Sequence, residues 1–278
     1  MTIADREKTA PPIALLTDFG YRDHYVGVMK GVIASIAPAA PVIDLTHGIA
    51  PQAIAAGALV LEQSWRYFPK RTIFVAVVDP GVGTSRKPIA VESKAGARFI
   101  GPDNGLLWNA AEQAGVLRIV ELRALRYRLR EVSATFHGRD IFAPAAAHLW
   151  KGVRLTVLGP EIPAMLKLAE SVPGISERRN EMTGSVVYID EFGNLITNID
   201  RESFEGFASR FRGLKLSVRI GRRGPIEIRK AYGEAEAGGS LATFGSFGRL
   251  EIAVRDGRAA KRFAAGPGTI VTIRVAVG

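Results

Sequence analysis

The stretch Val77-Val-Asp-Pro-Gly-Val-Gly-Thr-Ser-Arg86 is the first part of the sequence whose residue types suggest chemistry. An apolar run leads directly into Asp79, and a glycine loop then ends on Arg86. Phosphate-binding loops need either GxxxxGK followed by Ser or Thr, or a GxGxxG that opens a helix. Here the residues after Arg86, Lys87-Pro-Ile-Ala, begin a predicted strand, so no helix N-terminus supplies amide groups to a phosphate. The loop instead presents a carboxylate and a guanidinium.

Aspartates follow four predicted strands in the first half of the chain: Asp18, Asp44, Asp79 and Asp103. A single aspartate at such a place is most often a helix cap or a turn former. Ligands of parallel α/β sheets bind outside the carboxyl ends of the strands. Four aspartates together therefore favour a negatively charged site at that edge of the sheet.

Two kinds of site fit these carboxylates. They could be oxygen ligands in a metal-dependent hydrolase. Alternatively, they could accept hydrogen bonds from a vicinal diol and attract a cationic substrate. The histidines show no HExxH or DxH pairing, so the sequence does not indicate a metal centre; they are His24, His47, His137 and His148.

A second polar segment, Thr135-Phe-His-Gly-Arg-Asp140, precedes an alanine-rich helix predicted for residues 140–150. Asp140 fits an ordinary helix N-cap. His137 lies beside a glycine just outside the predicted helix, and a lone loop histidine is most often a surface residue. It gains a functional meaning only if the fold brings it to Asp79 and Arg86.

The elements that would position these residues fall into two parts. Over residues 11–180, apolar strands alternate with segments of helical periodicity, which predicts an α/β domain with a mainly parallel sheet covered on both faces. Over residues 181–278, short β-rich runs alternate with glycine turns, such as Gly221-Arg-Arg-Gly224, which predicts a small all-β domain, either a sandwich or a barrel. The polar segment 173–180 is the predicted linker.

Composition narrows the class of protein. The 278-residue chain has no cysteine, which excludes disulfides, thiolate metal sites and cysteine nucleophiles. Its formal net charge is +10, but the basic residues are scattered and no recognition helix, zinc pattern or RNA-binding motif accompanies them. We therefore predict no nucleic-acid partner. The polar N-terminal segment and the absence of an apolar run of roughly 20 residues predict a cytoplasmic protein that is not bound to a membrane.

Five motifs occur in order along the chain: Thr17-Asp-Phe-Gly20, Val77–Gly83 with Arg86, Gly101-Pro-Asp-Asn-Gly105, Phe136-His-Gly-Arg-Asp140 and Ile189-Asp-Glu-Phe-Gly-Asn194. Over roughly residues 12–277, this set resembles the S-adenosyl-L-methionine (SAM) hydroxide adenosyltransferase family, relatives of fluorinase and chlorinase. The resemblance implies a C-terminal domain of the barrel type. It also implies a homotrimer whose site lies where two subunits meet. The implied reaction joins SAM and water to give adenosine and L-methionine, with SAM as substrate and with neither cofactor nor metal.

The resemblance also implies roles for residues. Asp79, Arg86 and His137 match the family's set that positions and activates water, and the proton acceptor stays open between Asp79 and His137. Asp18 matches the carboxylate that holds the ribose diol. The other implied substrate-binding residues are Asn104, Asp190, Phe192, Asn194, Tyr232, Ser246 and Val254.

Two features separate the chain from the halogenases it resembles. The halogenases have other residues at the positions of Asp79 and His137, and a long insertion where this chain has only the connection Glu92–Arg98. The resemblance therefore implies hydrolysis rather than halogenation. The alternative that stays open is a protein that binds adenosine or SAM without turning it over.

Overall fold

The computed structural model of the chain describes residues 10–168, 173–176 and 180–276. The chain divides into two compact units, residues 1–168 and 169–278. The first unit is the predicted α/β domain and the second is the predicted all-β domain. The predicted limit at residue 180 stays a prediction, because residues 169–172 and 177–179 lie outside the described part of the chain. The N-terminal residues 1–9, predicted to carry no targeting signal, also lie outside it.

A six-stranded sheet forms the centre of the first unit. Its strands are β1 (Ile13–Thr17), β2 (Val42–Thr46), β3 (Ile73–Val77), β4 (Pro88–Ser93), β5 (Arg98–Pro102) and β6 (Val116–Glu121). Their order across the sheet is β2-β1-β3-β5-β4-β6. The first four strands of that order pair in parallel, whereas β4 is antiparallel to both of its neighbours. The sheet is therefore mainly parallel, as predicted.

Helices cover this sheet: α1 (Tyr25–Ile36), α2 (Ile54–Ser64), α3 (Trp108–Gln113) and α4 (Ala143–Trp150). In α1, Val26, Met29 and Ile33 recur at helical spacing and are buried, which is why this segment folds as a helix against the sheet. Every residue of β1 and β3 is buried, as expected of parallel strands covered on both faces. The packing fixes the carboxyl ends of these two strands, from which the candidate site residues follow.

The segment before α4 differs from the prediction of one helix over residues 140–150. A π-helical turn, Gly138–Phe142, takes the place of the first predicted turn. Asp140 is not the helix cap, because its fully buried carboxylate accepts a hydrogen bond from Ser133 N at 2.8 Å instead. Single π-turns within helices occur frequently at functional sites. This one directly follows His137.

The second unit is built from antiparallel strands. They are β7 (Gly174–Ser176), β8 (Glu181–Ile189), β9 (Leu195–Asp200), β10 (Leu216–Ile220), β11 (Arg223–Glu227), β12 (Ser240–Phe244), β13 (Arg249–Val254) and β14 (Ile270–Val275). Seven of them follow the order β11-β10-β14-β8-β9-β13-β12, and β7 pairs with β8. A bridge between Ile228 and Ala242 joins the two ends of that order. The sheet is thus nearly closed, which confirms the barrel-like prediction.

The sequence predicted some of the turns and helices of this unit and missed others. The hairpin predicted at Gly221-Arg-Arg-Gly224 is present, with Ile220 opposite Arg223. The predicted linker instead contains β7, and two helices were missed: α5 (Arg201–Ala208) and α6 (Ala259–Phe263). The cap of α5 had a signal in the sequence, because aspartate is a preferred N-cap residue. In the structure Asp200 accepts from Ser203 N at 2.8 Å. None of the helices that the structure describes in either unit is both long and apolar enough to cross a membrane.

Candidate active site

The side chains of Asp79, Arg86 and His137 meet in the first unit. Asp79 follows β3 and Arg86 precedes β4, so both ends of the glycine loop are anchored in the sheet. Arg86 Nε donates to Asp79 Oδ1 at 3.0 Å, and Nη2 donates to Asp79 Oδ2, which makes the pair bidentate. The same Nη2 lies 3.0 Å from Nδ1 of His137, which is 51 residues further along the chain. The fold therefore meets the condition that the sequence set for a functional His137.

Arg86 decides which nitrogen of His137 carries the proton. A guanidinium has donors only, so Nδ1 accepts from Arg86 and the proton of the neutral ring lies on Nε2. Burial lowers the pKa of His137, and the charge of Arg86 lowers it further. The neutral ring is therefore favoured near pH 7, and its free nitrogen is a hydrogen-bond donor.

The Asp79 carboxylate and its partner Arg86 are almost completely buried. Only 5% of the Asp79 side chain and 7% of that of Arg86 are exposed. Burial raises the pKa of Asp79 and outweighs the opposing effect of Arg86. A carboxylate with a raised pKa is a better proton acceptor than an ordinary surface carboxylate.

A cavity of about 430 Å³ lies beside this cluster, and Asp18, Asp79 and His137 all line it. Arg86 is not part of the lining, so it supports the other two side chains from behind. An aromatic cluster of Phe19, Tyr25 and Phe136, with ring centroids 5.2, 5.7 and 5.8 Å apart, forms another part of the wall. The cavity thus combines two carboxylates with an apolar surface.

The two loops that carry the cluster approach each other most closely at Gly83. This residue has φ of +78°, in the left-handed region. A Cβ atom there would lie 2.4 Å from the carbonyl oxygen of Ala134, far inside van der Waals contact. Only glycine fits both the dihedral angle and the space. The close approach sets the distance between the loop of Asp79 and the loop of His137.

Asp18 and Asn104 are placed by backbone hydrogen bonds. Asp18 Oδ2 accepts from Gln52 N at 2.8 Å, and Gln52 itself has a left-handed backbone with φ of 65°. Asn104 Nδ2 donates to Val78 O at 2.9 Å, and its Oδ1 accepts from Leu106 N at 3.2 Å. The side-chain amide of Asn104 therefore holds the backbone next to Asp79, and its predicted contact with substrate stays a prediction.

Of the four aspartates predicted to form one site, only two line the cavity. Asp18 and Asp79 line the cavity. Asp44 lies within β2 rather than after it and forms an ion pair with a lysine, and Asp103 accepts a backbone hydrogen bond at 2.7 Å. In the described ranges, no group of three or more His, Cys, Asp or Glu side chains could hold a metal ion.

Within the second unit, Asp190 and Asn194 are bonded to each other across the turn between β8 and β9. Asn194 N donates to Asp190 Oδ1 at 2.8 Å, and Asn194 Nδ2 donates to Asp190 Oδ2 at 2.9 Å. Phe192, between them in the sequence, is 77% exposed. The structure therefore pairs two of the predicted binding residues and leaves an aromatic ring uncovered beside them.

Tyr232 and Glu251 form a second polar pair in this unit. The Tyr232 hydroxyl donates to Glu251 Oε1, and burial raises the pKa of that carboxyl group. Of the other predicted binding residues, Ser246 is exposed and Val254 is buried. Glu251 was missed by the sequence analysis. Its signal was a lone acid within the apolar strand Leu250-Glu-Ile-Ala-Val254.

Family models match both units of the chain. Residues 13–159 match the SAM hydroxide adenosyltransferase N-terminal domain, and residues 184–272 match the C-terminal domain of the same family.

Individual proteins are similar over most of their length. An enzyme from Salinispora arenicola named (R)-S-adenosyl-L-methionine hydrolase is 38% identical over 97% of this chain and 99% of its own. An enzyme of the same name from Thermus thermophilus is 38% identical over 89% of this chain and 93% of its own. A fluorinase from Nocardia brasiliensis is 28% identical over 87% of this chain and 90% of its own. A crystal structure of a conserved protein from Thermotoga maritima has a TM-score of 0.85 at 38% identity, over 94% of this chain and 99% of its own.

Proposed function

The chain belongs to the SAM hydroxide adenosyltransferase family, and we propose that it hydrolyses SAM to adenosine and L-methionine. The observation that carries the proposal is that Asp79 and His137 line one cavity while Arg86 bonds to both of them. The names of the most similar relatives support the choice of substrate. Because those names specify the R configuration, we extend the proposal to the R epimer at sulfur as the preferred substrate.

The chemical difficulty of this reaction lies in the nucleophile. Carbon C5′ of the ribose carries a sulfonium group, which leaves as a neutral thioether and needs no acid. Water, with a pKa of about 15.7, is a poor nucleophile until it begins to lose a proton. The site must therefore hold one water in line with the C5′–S bond and take up its proton.

We assign the proton acceptor to Asp79. The lone pair on His137 Nδ1 is already used by Arg86, so the imidazole offers the water its Nε2–H rather than a basic nitrogen. Asp79 Oδ1 and Oδ2 each accept from Arg86 but retain further lone pairs, and Asp79 lines the cavity. The water oxygen attacks C5′, its proton passes to Asp79, and the electrons of the C5′–S bond go to sulfur.

Arg86 acts through the other two residues in this mechanism. Its guanidinium fixes the Asp79 carboxylate and the His137 ring at 3.0 Å each, and its charge stabilises the hydroxide that develops beside them. Its Nη1 is buried without a hydrogen-bond partner among the described residues. Because Arg86 does not line the cavity, it acts on the reaction through its charge and through the two side chains that it holds.

The remaining predicted roles concern the substrate and the assembly. Asp18 binds the ribose diol through the carboxylate lone pairs that Gln52 N leaves free. Asp190 binds the methionine part of SAM and Tyr232 the adenine part. The protein is a homotrimer, and each site lies between two subunits. The reaction uses no metal and no cofactor, and we place the enzyme in the cytoplasm. Light scattering of the purified protein tests the trimer, and cell fractionation tests the location.

Product analysis tests the proposed reaction. Purified protein is incubated with each sulfur epimer of SAM, with and without a chelator, in buffer that contains chloride. We expect adenosine and methionine in equal amounts, faster from the R epimer, unchanged by the chelator and with no chlorinated nucleoside. Folded protein that releases no adenosine overturns the proposal. Saturable binding of SAM without product would instead favour the non-catalytic alternative.

A further inference from the structure

A second polar cluster lies in the first unit and consists of Thr17, which directly precedes Asp18, together with Lys30, Asp44 and His47. Thr17 Oγ1 is 2.8 Å from His47 Nδ1, and His47 Nε2 is 3.1 Å from Asp44 Oδ1. Asp44 Oδ2 accepts from Lys30 Nζ at 2.7 Å. Thr17 and His47 are completely buried, whereas Asp44 and Lys30 reach the surface. The mechanism proposed above uses none of these four residues.

The contacts allow one consistent arrangement of protons. The carboxylate of Asp44 beside His47 Nε2 favours a proton on that nitrogen. The two groups are close enough for a hydrogen bond, but their orientation does not meet the usual criteria for one. Nδ1 then accepts from the Thr17 hydroxyl, and the Thr17 oxygen accepts from Phe19 N at 3.2 Å. Burial lowers the pKa of His47, with Asp44 acting against it and Lys30 with it, which supports a neutral ring.

The order of hydroxyl, imidazole and carboxylate is that of a nucleophilic triad. A nucleophile must be reachable by its substrate, and the Thr17 side chain has no exposed surface. Thr17 is also the last residue of β1, inside the sheet. Attack by this hydroxyl is therefore excluded, and the cluster must act through what it holds.

What the cluster holds is the turn that carries Asp18 and Phe19. The Thr17 oxygen binds the backbone of Phe19, and the carbonyl oxygen of His47 accepts from Gly20 N at 2.8 Å. Five residues after His47, Gln52 N donates to the carboxylate of Asp18. The segments 17–20 and 47–52 are therefore joined at three successive points, and both Asp18 and Phe19 line the cavity.

We propose that Thr17, His47 and Asp44 form a positioning network that fixes Asp18 for the nucleoside part of the substrate and thereby sets its affinity. The inference rests on the proposed function, because it takes the ligand of Asp18 to be an adenosine group. Lys30 holds Asp44 from the surface side. None of the four residues lines the cavity.

Substitution of Thr17 tests the network with adenosine alone as the probe. Thr17→Val keeps the shape and removes the hydroxyl, whereas Thr17→Ser keeps the hydroxyl. We expect Thr17→Val to weaken adenosine binding, measured by calorimetry, by about tenfold, the usual effect of losing one buried hydrogen bond. The KM for SAM should rise in parallel while kcat falls by less than about threefold, and Thr17→Ser should stay near wild type.

Thr72→Val is the matched control. Thr72 is also completely buried and directly precedes β3 of the same sheet, and its hydroxyl donates to Pro69 O at 2.7 Å, outside the network. It should lose comparable thermal stability without any change in adenosine affinity. If Thr17→Val does not fold, Asp44→Asn replaces it, and a smaller loss of affinity, about threefold, is expected because the ion pair with Lys30 and the polarisation of His47 are lost while the hydrogen bonds of Thr17 remain.

The outcomes separate this inference from the proposed function. Wild-type protein that binds adenosine but releases none from SAM overturns the proposed reaction, and the affinities of the Thr17 variants still test the network. An active enzyme whose Thr17→Val form binds adenosine as tightly as wild type overturns the network alone. So does a Thr17→Val form that loses kcat at unchanged KM, because such a result places the effect on the chemical step.

Discussion

Two clusters in the first unit contain the same kinds of side chain in different settings. Each has one histidine, one aspartate and one cation: His137, Asp79 and Arg86 in the first, and a set built around His47 in the second. In the first cluster the cation lies between the other two groups, and both of those reach the cavity. In the second cluster the carboxylate lies in the middle and the histidine is sealed in the core.

The comparison shows that access, rather than residue type, separates a reactive group from a supporting one. Burial lowers the pKa of both histidines, so both rings are neutral near pH 7. Of the two, only His137 lines the cavity, whereas both nitrogens of His47 face protein atoms. The same chemistry therefore acts on a substrate in one place and on the backbone in the other.

Removing the carboxylate of the open cluster should have the largest effect. Asp79→Asn keeps the volume but cannot accept a proton, and we expect kcat to fall by at least about 100-fold, as for loss of a general base. SAM should still bind, as measured by calorimetry. Asp103→Asn is the matched control, since Asp103 bonds to Leu166 N outside the cavity and should leave kcat near wild type. If both variants lose activity equally, the distinction between the two aspartates fails.

Substitutions of His137 separate donation from proton acceptance. His137→Ala should lower kcat by about tenfold, because one donor to the developing hydroxide is lost. His137→Gln offers an amide N–H near the position of Nε2 and should recover a large part of that loss. His148→Ala is the matched control and should not change kcat, because the His148 ring contacts Tyr127 and does not line the cavity. A His137→Gln form as slow as His137→Ala would make His137 the base instead of Asp79.

The pH dependence of kcat sharpens the same assignment. Asp79 must be ionised to accept a proton, and burial raises its pKa above the usual value. We therefore expect kcat to be level near neutral pH and to fall tenfold per pH unit below the raised pKa of Asp79. Steady-state rates of wild type between about pH 4 and 8 check this. An acid limb that disappears in His137→Gln would assign the limb to His137 and contradict the mechanism.

The pH dependence of stability should distinguish the sealed histidine from the open one. Because their pKa values are lowered on folding, the unfolded chain binds more protons between the lowered value and about 6.5. The free energy of unfolding therefore rises with pH through that window and is lost on acidification, by at most about 1.4 kcal/mol per pH unit for each histidine. When urea unfolding is measured at several pH values, the free energy of unfolding of His47→Gln should rise less steeply with pH than that of wild type. His137→Gln should change this pH dependence less, and the reverse order would contradict the difference in burial.

Much of the first unit followed from the sequence because its patterns are local. The alternation of apolar runs with segments of helical spacing predicted an α/β domain with a mainly parallel sheet, and the structure confirms it. The meeting of His137 with Arg86 did not follow, because 51 residues of chain separate them and only the packing of the sheet joins them. The same packing explains why Asp44 was misplaced: it lies inside a strand and faces a lysine from α1, which no local pattern shows.

The second unit was less predictable where a polar group serves the fold. Helix α5 is only eight residues long, so its apolar pattern does not repeat often enough to identify a helix, although its cap was visible. Glu251 stands in an apolar strand, and its partner Tyr232 lies in a separate turn. A buried acid can be recognised in a sequence as an interruption of a pattern, but the position of the turn that supplies its partner is fixed only in the folded chain.

Gly83 restricts how the two loops beside the cavity can be redesigned. Its missing side chain allows the backbone of one loop to lie against the Ala134 carbonyl of the other. An alanine at residue 83 would move Asp79 and His137 apart without replacing any reactive atom. The two loops therefore form one exchangeable part. A transplant of either loop into a relative, without its counterpart, would carry over the residues of the site but not the distance between them.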